Sequence, residues 1–554
     1  MAKEDTLSAD AIFKQFKQYS ISEFFRKNSQ MLGYSGKVRS LTTIVHEYVT
    51  NSLDACEEAG ILPDISVEIK QLSEDKYSVK VSDNGPGIPQ GHVGKALATI
   101  LAGTKFHRYV QQRGQQGIGA TGCTLYSQVT TGKPIHVKSG TGNGTYECDL
   151  SLDIKSNKPL IANLSKLSSD SDFKGTEISG EFGEVKYEAS DHGVYEYLKR
   201  TALSNPHSSI KLVSPDGQES IFVRSVQELP KKPKQIKPHP LGLGTSDMLD
   251  AAHMSESKNI SSFLSDSFSR MSSGKIEEIK EKIPDLDMDA SPHSLSWDNA
   301  EKMIKAFKEI KWISPELDSI SVIGEKQIDI AVKNIINPQF LAVIERKPKV
   351  FRGGIPFVVE ACIAYGGDAG KSTQEGSRGN ILRFANKVPL LFDGSSCAIS
   401  AAIDGIDWKR YGISRFDEEP ISVFVNVSSV HIPYSGVGKQ AIAQEDEIID
   451  EIKLAVMDCG RALQRHISGM KNRALKESRY KALMRYVNQM SSDLADMTGE
   501  DKEMIKKSLS MLIERRYKDT EEEETAEQEE QASTEPQAKG KKKQSAGESE
   551  DDDE

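Results

Sequence analysis

"LTTIVHEYVTNSLDACEEA" runs from Leu41 to Ala59. Leu41, Val45, Val49, Leu53 and Cys56 recur at helical spacing, so the stretch reads as an amphipathic helix. Glu47, Asn51 and Asp54 stand at i, i+4 and i+7. That spacing sets two carboxylates and an amide on one face. On an isolated helix such a stripe is ordinarily just the wet side. The segments that follow it change its meaning.

"ISVEIK" (65–70) and "YSVKVSD" (77–83) alternate as strands, with "QLSED" as the turn between them. Asp83 ends the second strand and leads into "SDNGPGIP" (82–89). A carboxylate at a strand end can accept a hydrogen bond from an exocyclic amine such as that of adenine. Gly85 and Gly87 let backbone approach a flat ring. Read alone, "DNG" is an ordinary hairpin turn. "GQQGIGATG" (114–122) is rich in glycine. Its N–H groups can face an anion, and a helix beginning near Ala120 would favour phosphate at its N-terminus. "LAGTKFHRYVQQR" precedes it, with Lys105 and Arg113 as mobile cations. In "FKGTEISG" (173–180) a Gly-Thr pair enters a strand and can place a hydroxyl beside a base or a water.

In this order, ExxxN on a helix, then DxGxG, GxxGxG and GT, the chain resembles the GHKL nucleotide-binding family over about residues 30–225. The resemblance implies an ATP site under a lid formed by about 101–122. Glu47 would be the general base that polarises the attacking water. Asn51 would offer its amide oxygen to Mg²⁺, a metal that needs few protein ligands when phosphates supply the rest. Asp83 would read adenine, and Asp54 would order the site. Gly85, Gly87, Thr104, Lys105, Gly114, Gln115, Gln116, Gly117, Ile118, Gly119, Ala120, Thr121 and Thr176 would complete the nucleotide contacts.

Later segments narrow the resemblance. "KPHPLG", "SVIGE", "RKPKVFRGGIPFVVEACIAYGG", "ILRFANKVPLLFD", "DWKRYGI" and "HIPYSGVGKQAIA" look like those of the B-subunit family of type IIB DNA topoisomerases (topoisomerase VI). The match extends from about residue 40 to 450. It implies an α+β chain. A GHKL (Bergerat) α/β sandwich with an N-terminal strap would occupy 1–229, with residues 1–25 crossing to a partner. A helix-two-turns-helix domain would follow at 230–315 and an α/β transducer at 316–470. A long C-terminal helix, 471–518, would contact the A subunit, ahead of a disordered acidic tail at 519–554. Lys439 would be the switch lysine that crosses from the transducer to the γ-phosphate. The implied assembly is an A2B2 heterotetramer in which a second B subunit joins on ATP binding and double-stranded DNA is passed. Strand cleavage would belong to the A subunit.

Composition agrees with this reading. The net charge of −11 is concentrated: residues 521–554 hold fourteen acids and four lysines, which leaves the body nearly neutral. Such a body can still focus positive potential on one face. Candidate DNA contacts are Lys231, Lys232, Lys234 and Lys237 in the proline-rich joint (229–242), and "KNRALKESRYKALMR". The six cysteines form no CxxC pair, so a zinc site or a disulfide framework is not expected. Neither a signal peptide nor a membrane-spanning run is expected, and a reducing cytoplasm is the default, nuclear if the source is eukaryotic. "YGGDAGKST" (365–373) is one residue short of a Walker A loop. "DLDMDA" (285–290) lacks the EF-hand glycine and reads as a solvated helical linker. His46 adjoins Glu47 but lies within the nucleotide helix, so a structural role is expected.

Overall fold

A computed structural model describes residues 33–100, 109–114, 117–153, 156–167, 173–315, 319–371, 379–436 and 438–516. The expected strap at 1–25, Thr104, Lys105, Gln115, Gln116 and the acidic tail lie outside the described residues.

The decisive helix, α1, spans Lys37–Ala59 and starts four residues earlier than its apolar period suggests. Gly36 precedes it at φ 81°, and Gly60 ends it in the left-handed region. β1 (Asp64–Ser73) and β2 (Lys76–Asp83) pair antiparallel. β1 continues through most of the expected turn, leaving Glu74 and Asp75 to make the reversal. Then come α2 (Val93–Leu97), α3 (Gly119–Thr131), β3 (Ile135–Thr141), β4 (Gly144–Asp153), β5 (Lys158–Lys166) and β6 (Gly175–Gly183). α4 (Val194–Ser204), β7 (Ser209–Val213) and β8 (Glu219–Phe222) complete the region. α3 begins within a residue of the helix start expected near Ala120, whereas α4 is a helix in a stretch whose pattern reads as strand.

The eight strands form one sheet in the order β5-β4-β3-β6-β2-β1-β7-β8. Only the β1–β7 pairing is parallel. The two-residue period of β2 buries Tyr77, Val79, Val81 and then Asp83. Asp83 is thus the last inward position of a strand whose other inward positions are apolar. α1 and α3 contribute Leu41, Val45, Val49, Leu53, Cys123 and Leu125 to the same core. α1 is therefore pinned directly over the strand that ends in Asp83.

Residues 223–239 carry no regular structure. Four helices follow: α5 (Thr245–His253), α6 (Ile260–Ser267), α7 (Ser273–Lys282) and α8 (Trp297–Glu309). Asn259, Ser272 and Ser296 cap the last three by accepting hydrogen bonds from backbone N–H groups. Met248, Phe263, Phe268, Ile279, Met303 and Phe307 form a separate core. "DLDMDA" is not the helical linker expected: it forms turns between α7 and α8, with Leu286 and Met288 buried in that core.

The next elements are α9 (Glu325–Ile336), β9 (Phe340–Glu345), β10 (Lys349–Phe351), β11 (Ile355–Tyr365), β12 (Asn380–Ala385), β13 (Val388–Pro389), α10 (Ala398–Asp404) and β14 (Ile421–Ser429). β9 and β10 both pair with β11, and β14, β12 and β13 follow in that order. β14 is buried along its whole length and β11 along all but its last residue, as central strands covered on both faces must be. β12 and β13 form a hairpin whose two loop residues, Asn386 and Lys387, have φ values of 49° and 68°. That is the geometry of a type I′ turn.

The chain divides into two units, 1–464 and 465–554. α11 (Asp446–Thr498) begins in the first. In the second, Gly499 at φ 73° interrupts the helix, and residues 502–516 are helical again. This break replaces the single uninterrupted helix expected there.

Candidate active site

The site grows from Asp83. Its carboxylate accepts hydrogen bonds from Ser52 Oγ at 2.7 Å, Gly85 N at 2.9 Å and Thr176 N at 3.1 Å. Burial pushes its pKa up, and these three donors oppose the shift. Gly175, at φ 117°, lies so close to the Asp83 carbonyl that a Cβ would overlap it. The Gly-Thr pair therefore locks β6 against the end of β2, and Thr176 is buried beside the carboxylate. Gly87 packs against the Gly140 carbonyl, and Ile88 N donates to Ser139 Oγ at 2.7 Å. The turn holding Gly85 and Gly87 is thus fixed at both ends.

Glu47 and Asn51 lie one turn apart on α1. The Glu47 side chain is 30% exposed, and Asn51 is exposed. A Cβ built on Gly119 would overlap Glu47 Oε2, so the carboxylate lies against the first residue of α3. Among the described residues, no side chain caps that helix N-terminus. Its leading N–H groups carry the partial positive charge that suits an anion. Gly114, Gly117 and Ile118 are partly exposed at the approach. Ala120 and Thr121 are buried, and the Thr121 hydroxyl donates to the Thr99 carbonyl at 3.1 Å.

The His46 side chain is only 14% exposed, with its ring edge-on to Tyr197 at 5.4 Å. Burial lowers its pKa, the Glu47 carboxylate opposes this, and the Lys439 ammonium lowers it further. The charge of Lys439 is therefore felt at His46, beside Glu47 near the middle of α1. Its loop is tightly turned: Lys439 has φ 52°, and its N–H donates to the Gly436 carbonyl at 3.1 Å. Gly438 faces Gly33, just ahead of α1.

One position differs from the sequence reading. Arg113 is not a mobile cation. It is 8% exposed, and its guanidinium donates to Asp54 Oδ1 at 2.9 Å, to both Glu57 oxygens and to Asn205 Oδ1. Asp54 is itself buried and committed to that ion pair. Sequence reasoning did not single out Ser52, Glu57, Asn205 or His207, whose Nε2 lies 2.7 Å from Glu57 Oε1. Only Ser52 carried a usable signal, being one residue past Asn51 and facing the strand below. Among the described residues, no group of three or more His, Cys, Asp or Glu could hold a metal ion, and no helix is long and apolar enough to cross a membrane.

Comparison with known proteins matches two families. Residues 36–155 fit the histidine kinase-, DNA gyrase B- and HSP90-like ATPases, and residues 315–481 fit the topoisomerase VI B subunit transducer. Among relatives, the B subunit of type 2 DNA topoisomerase 6 from Pyrococcus horikoshii is 44% identical over 552 residues, covering 92% of this chain and 97% of that protein. Its counterpart in Pyrococcus abyssi is 43% identical over 549 residues, covering 91% and 96%. That of Methanothermobacter thermautotrophicus is 44% identical over 477 residues, covering 85% and 90%. With a GHKL ATPase fold at one end and the matching transducer beyond it, this chain belongs to the family of type 2 DNA topoisomerase 6 B subunits.

Proposed function

We propose that this chain is the ATP-operated clamp of a type IIB topoisomerase, working with a separate A subunit that cuts duplex DNA. The observation that carries this reading is the meeting of Glu47 with the uncapped N-terminus of α3 near the middle of α1, with the charge of Lys439 reaching the adjoining His46. A general base, an anion-binding backbone and a cation from a second domain are the parts needed to hydrolyse a triphosphate and report on it.

The residues fit Mg²⁺-ATP. Gly119 leaves room where a side chain would displace the base. Asp83 is buried, rigidly held and an acceptor. Asp83 would read the adenine amine, with Gly85, Gly87 and Thr176 around the base. Asn51 would hold Mg²⁺, and the glycine turn from Gly114 to Ala120 would hold phosphate oxygens. When bound, the metal neutralises phosphate charge. Glu47 takes the proton of the attacking water. Lys439 stabilises the charge that develops on the transferred group, and it loses that contact when the group leaves. The transducer is thereby offered two states, biased by nucleotide. Two B subunits would join when the lid closes, in an A2B2 assembly. A second duplex would pass through the break, and hydrolysis would reopen the clamp, relaxing supercoils and decatenating DNA.

Sedimentation with and without a non-hydrolysable ATP analogue and Mg²⁺ tests this. The wild type should dimerise only with nucleotide. Asn51→Ala should abolish the dimer and Lys439→Ala should weaken it. Glu47→Gln should keep the dimer while hydrolysis falls about 10²- to 10⁴-fold. A nucleotide-bound wild type that stays monomeric would sink the proposal.

A further inference from the structure

The three residues just before the lid glycine Gly114 are all tied to the transducer, directly or through one neighbour. Gln111 Nε2 donates to the Ser321 carbonyl at 3.0 Å and to Ser428 Oγ at 3.4 Å, while its Oε1 accepts from Ser321 N. The Gln112 carbonyl accepts from Asn386 Nδ2 at 3.1 Å. Arg113 donates to Asn205, which in turn donates to the Lys387 carbonyl at 3.1 Å. Ser204 Oγ donates to that same carbonyl at 2.7 Å.

On the transducer side, these contacts converge on the Asn386–Lys387 turn. Lys387 N donates to Asn426 Oδ1 at 3.1 Å, and its ammonium donates to Ser321 Oγ at 3.0 Å. Asn426 Nδ2 donates to Glu360 Oε2 at 2.7 Å, and Glu360 accepts from Gly324 N at 2.6 Å. Asn426 belongs to β14 and Glu360 to β11, the two central strands. A continuous polar chain therefore runs from the nucleotide helix, through the base of the lid, into the middle of the transducer sheet.

A static joint does not need such chemistry. Burying charge and amide groups is costly, and apolar packing of equal volume is often at least as stable. Beside the chain lies a cavity of about 350 Å³, lined by Gln112, Arg113, Ser321, Asn386 and Lys387 among others. Gln112 Oε1 and Arg113 Nε are buried there without a hydrogen-bond partner among the described residues. Groups without a protein partner here can gain one in a second arrangement. The cavity gives the turn space in which to exchange polar partners.

We infer that Gln111, Arg113 and the Asn386–Lys387 turn form a clamp through which lid closure moves the transducer, a route additional to Lys439. These are positioning residues: each acts through a neighbour. The inference rests on the nucleotide-gated reading above.

The test uses the full chain assembled with its A subunit. Lys387→Met keeps the aliphatic stem and removes the ammonium. Asn386→Gly tolerates the positive φ and removes the link to Gln112. Gln111→Met removes the contacts to Ser321 and Ser428. Three quantities are read: dimerisation on addition of the non-hydrolysable analogue, its effect on backbone hydrogen exchange over 319–325 and β14, and supercoils removed per ATP hydrolysed. Dimerisation and hydrolysis should survive in the variants. The nucleotide-induced change in exchange should vanish, and supercoils removed per ATP should fall about 5- to 150-fold, the range of ordinary coupling energies. Variants that fold, dimerise and retain both the exchange response and wild-type coupling overturn the clamp alone. A wild type without a nucleotide-induced dimer overturns the functional reading and the clamp with it. Should Lys387→Met fail to fold, the other two variants decide the matter.

Discussion

Asp83 is an acid held by donors on three sides, and this fixes what its replacement should do. In Asp83→Asn, the remaining oxygen can keep the bonds from Gly85 N and Thr176 N. Ser52 can turn its hydroxyl to accept rather than donate. Burial raises the Asp83 pKa, so the ionised group costs stability at neutral pH, and that cost is relieved as pH falls through its folded pKa. The variant should therefore melt within a few degrees of wild type. It would present an amide N–H where the adenine amine needs an acceptor. Leaving buried donors facing each other costs roughly 1–3 kcal/mol, so ATP affinity should fall about 10- to 100-fold. Calorimetric titration beside a thermal melt measures both; equal affinity would remove Asp83 from the base pocket. In wild type the same group should make ATP binding weaken on acidification sooner than an exposed aspartate would. Gly119 gives a second test. Gly119→Ala sets a methyl where Glu47 Oε2 now lies. A displaced base should lower kcat by about 100-fold or more with a smaller effect on ATP affinity. Steady-state kinetics with direct nucleotide binding separates the two.

At the scale of elements, α1 is held by a charged cluster at its far end. Arg113 joins Asp54 and Glu57, and His207 meets Glu57 from the loop before β7. Burial alone would raise the Glu57 pKa, but Arg113 and His207 outweigh it and hold the carboxyl well below its usual range. A depressed carboxyl stabilises the fold above its unfolded pKa, and that contribution is lost as pH falls through its folded pKa. His207 is shifted down by burial despite Glu57, so acidification must charge a buried ring. Arg113→Met removes the guanidinium shared by Asp54 and Glu57 and should cost about 3–5 kcal/mol. Urea unfolding across the acid range should show this loss shrinking below about pH 4.5, where Glu57 in the unfolded chain is protonated. A pH-independent loss would mean that packing alone is at stake. This cluster also marks the limit of sequence reading. Glu47, Asn51 and Asp83 were legible because each sits on a periodic element whose face the pattern fixes. Arg113 was not, because its partners lie about sixty and ninety residues away in the chain and a lone arginine before a glycine loop reads as solvated. Lys387 was hidden the same way, although "FANKV" carries the two-residue hairpin signal that places it. α4, "VYEYLKRTALS", was missed because its valine and tyrosines favour strands, and packing of Tyr197 and Leu198 into the core overrides that preference.

For the whole molecule, the distribution of charge sets how DNA would be held under the proposed function. Lys231, Lys232, Lys234 and Lys237 are exposed in the segment ahead of the four-helix region. Residues 471–485 carry six lysines and arginines against one glutamate. Binding through such groups releases counterions and weakens steeply with salt. Residues 521–554 bring a net charge of −10 on the same chain, available to compete with DNA for those cations. The competition is tethered, so dilution does not remove it, but it is electrostatic, so salt does. Truncation after residue 518 should therefore raise DNA affinity at low ionic strength and reduce none of the nucleotide-dependent dimerisation. The gain should fade as the screening length falls from about 30 Å at 0.01 M salt to about 3 Å at 1 M. Fluorescence anisotropy of a labelled duplex, titrated with both chains at several salt concentrations, gives two lines of log affinity against log salt. If the tail competes, the truncated chain has the steeper line, because each cation it no longer neutralises becomes available to a phosphate. Parallel lines would mean that the tail never reaches the DNA-binding surface.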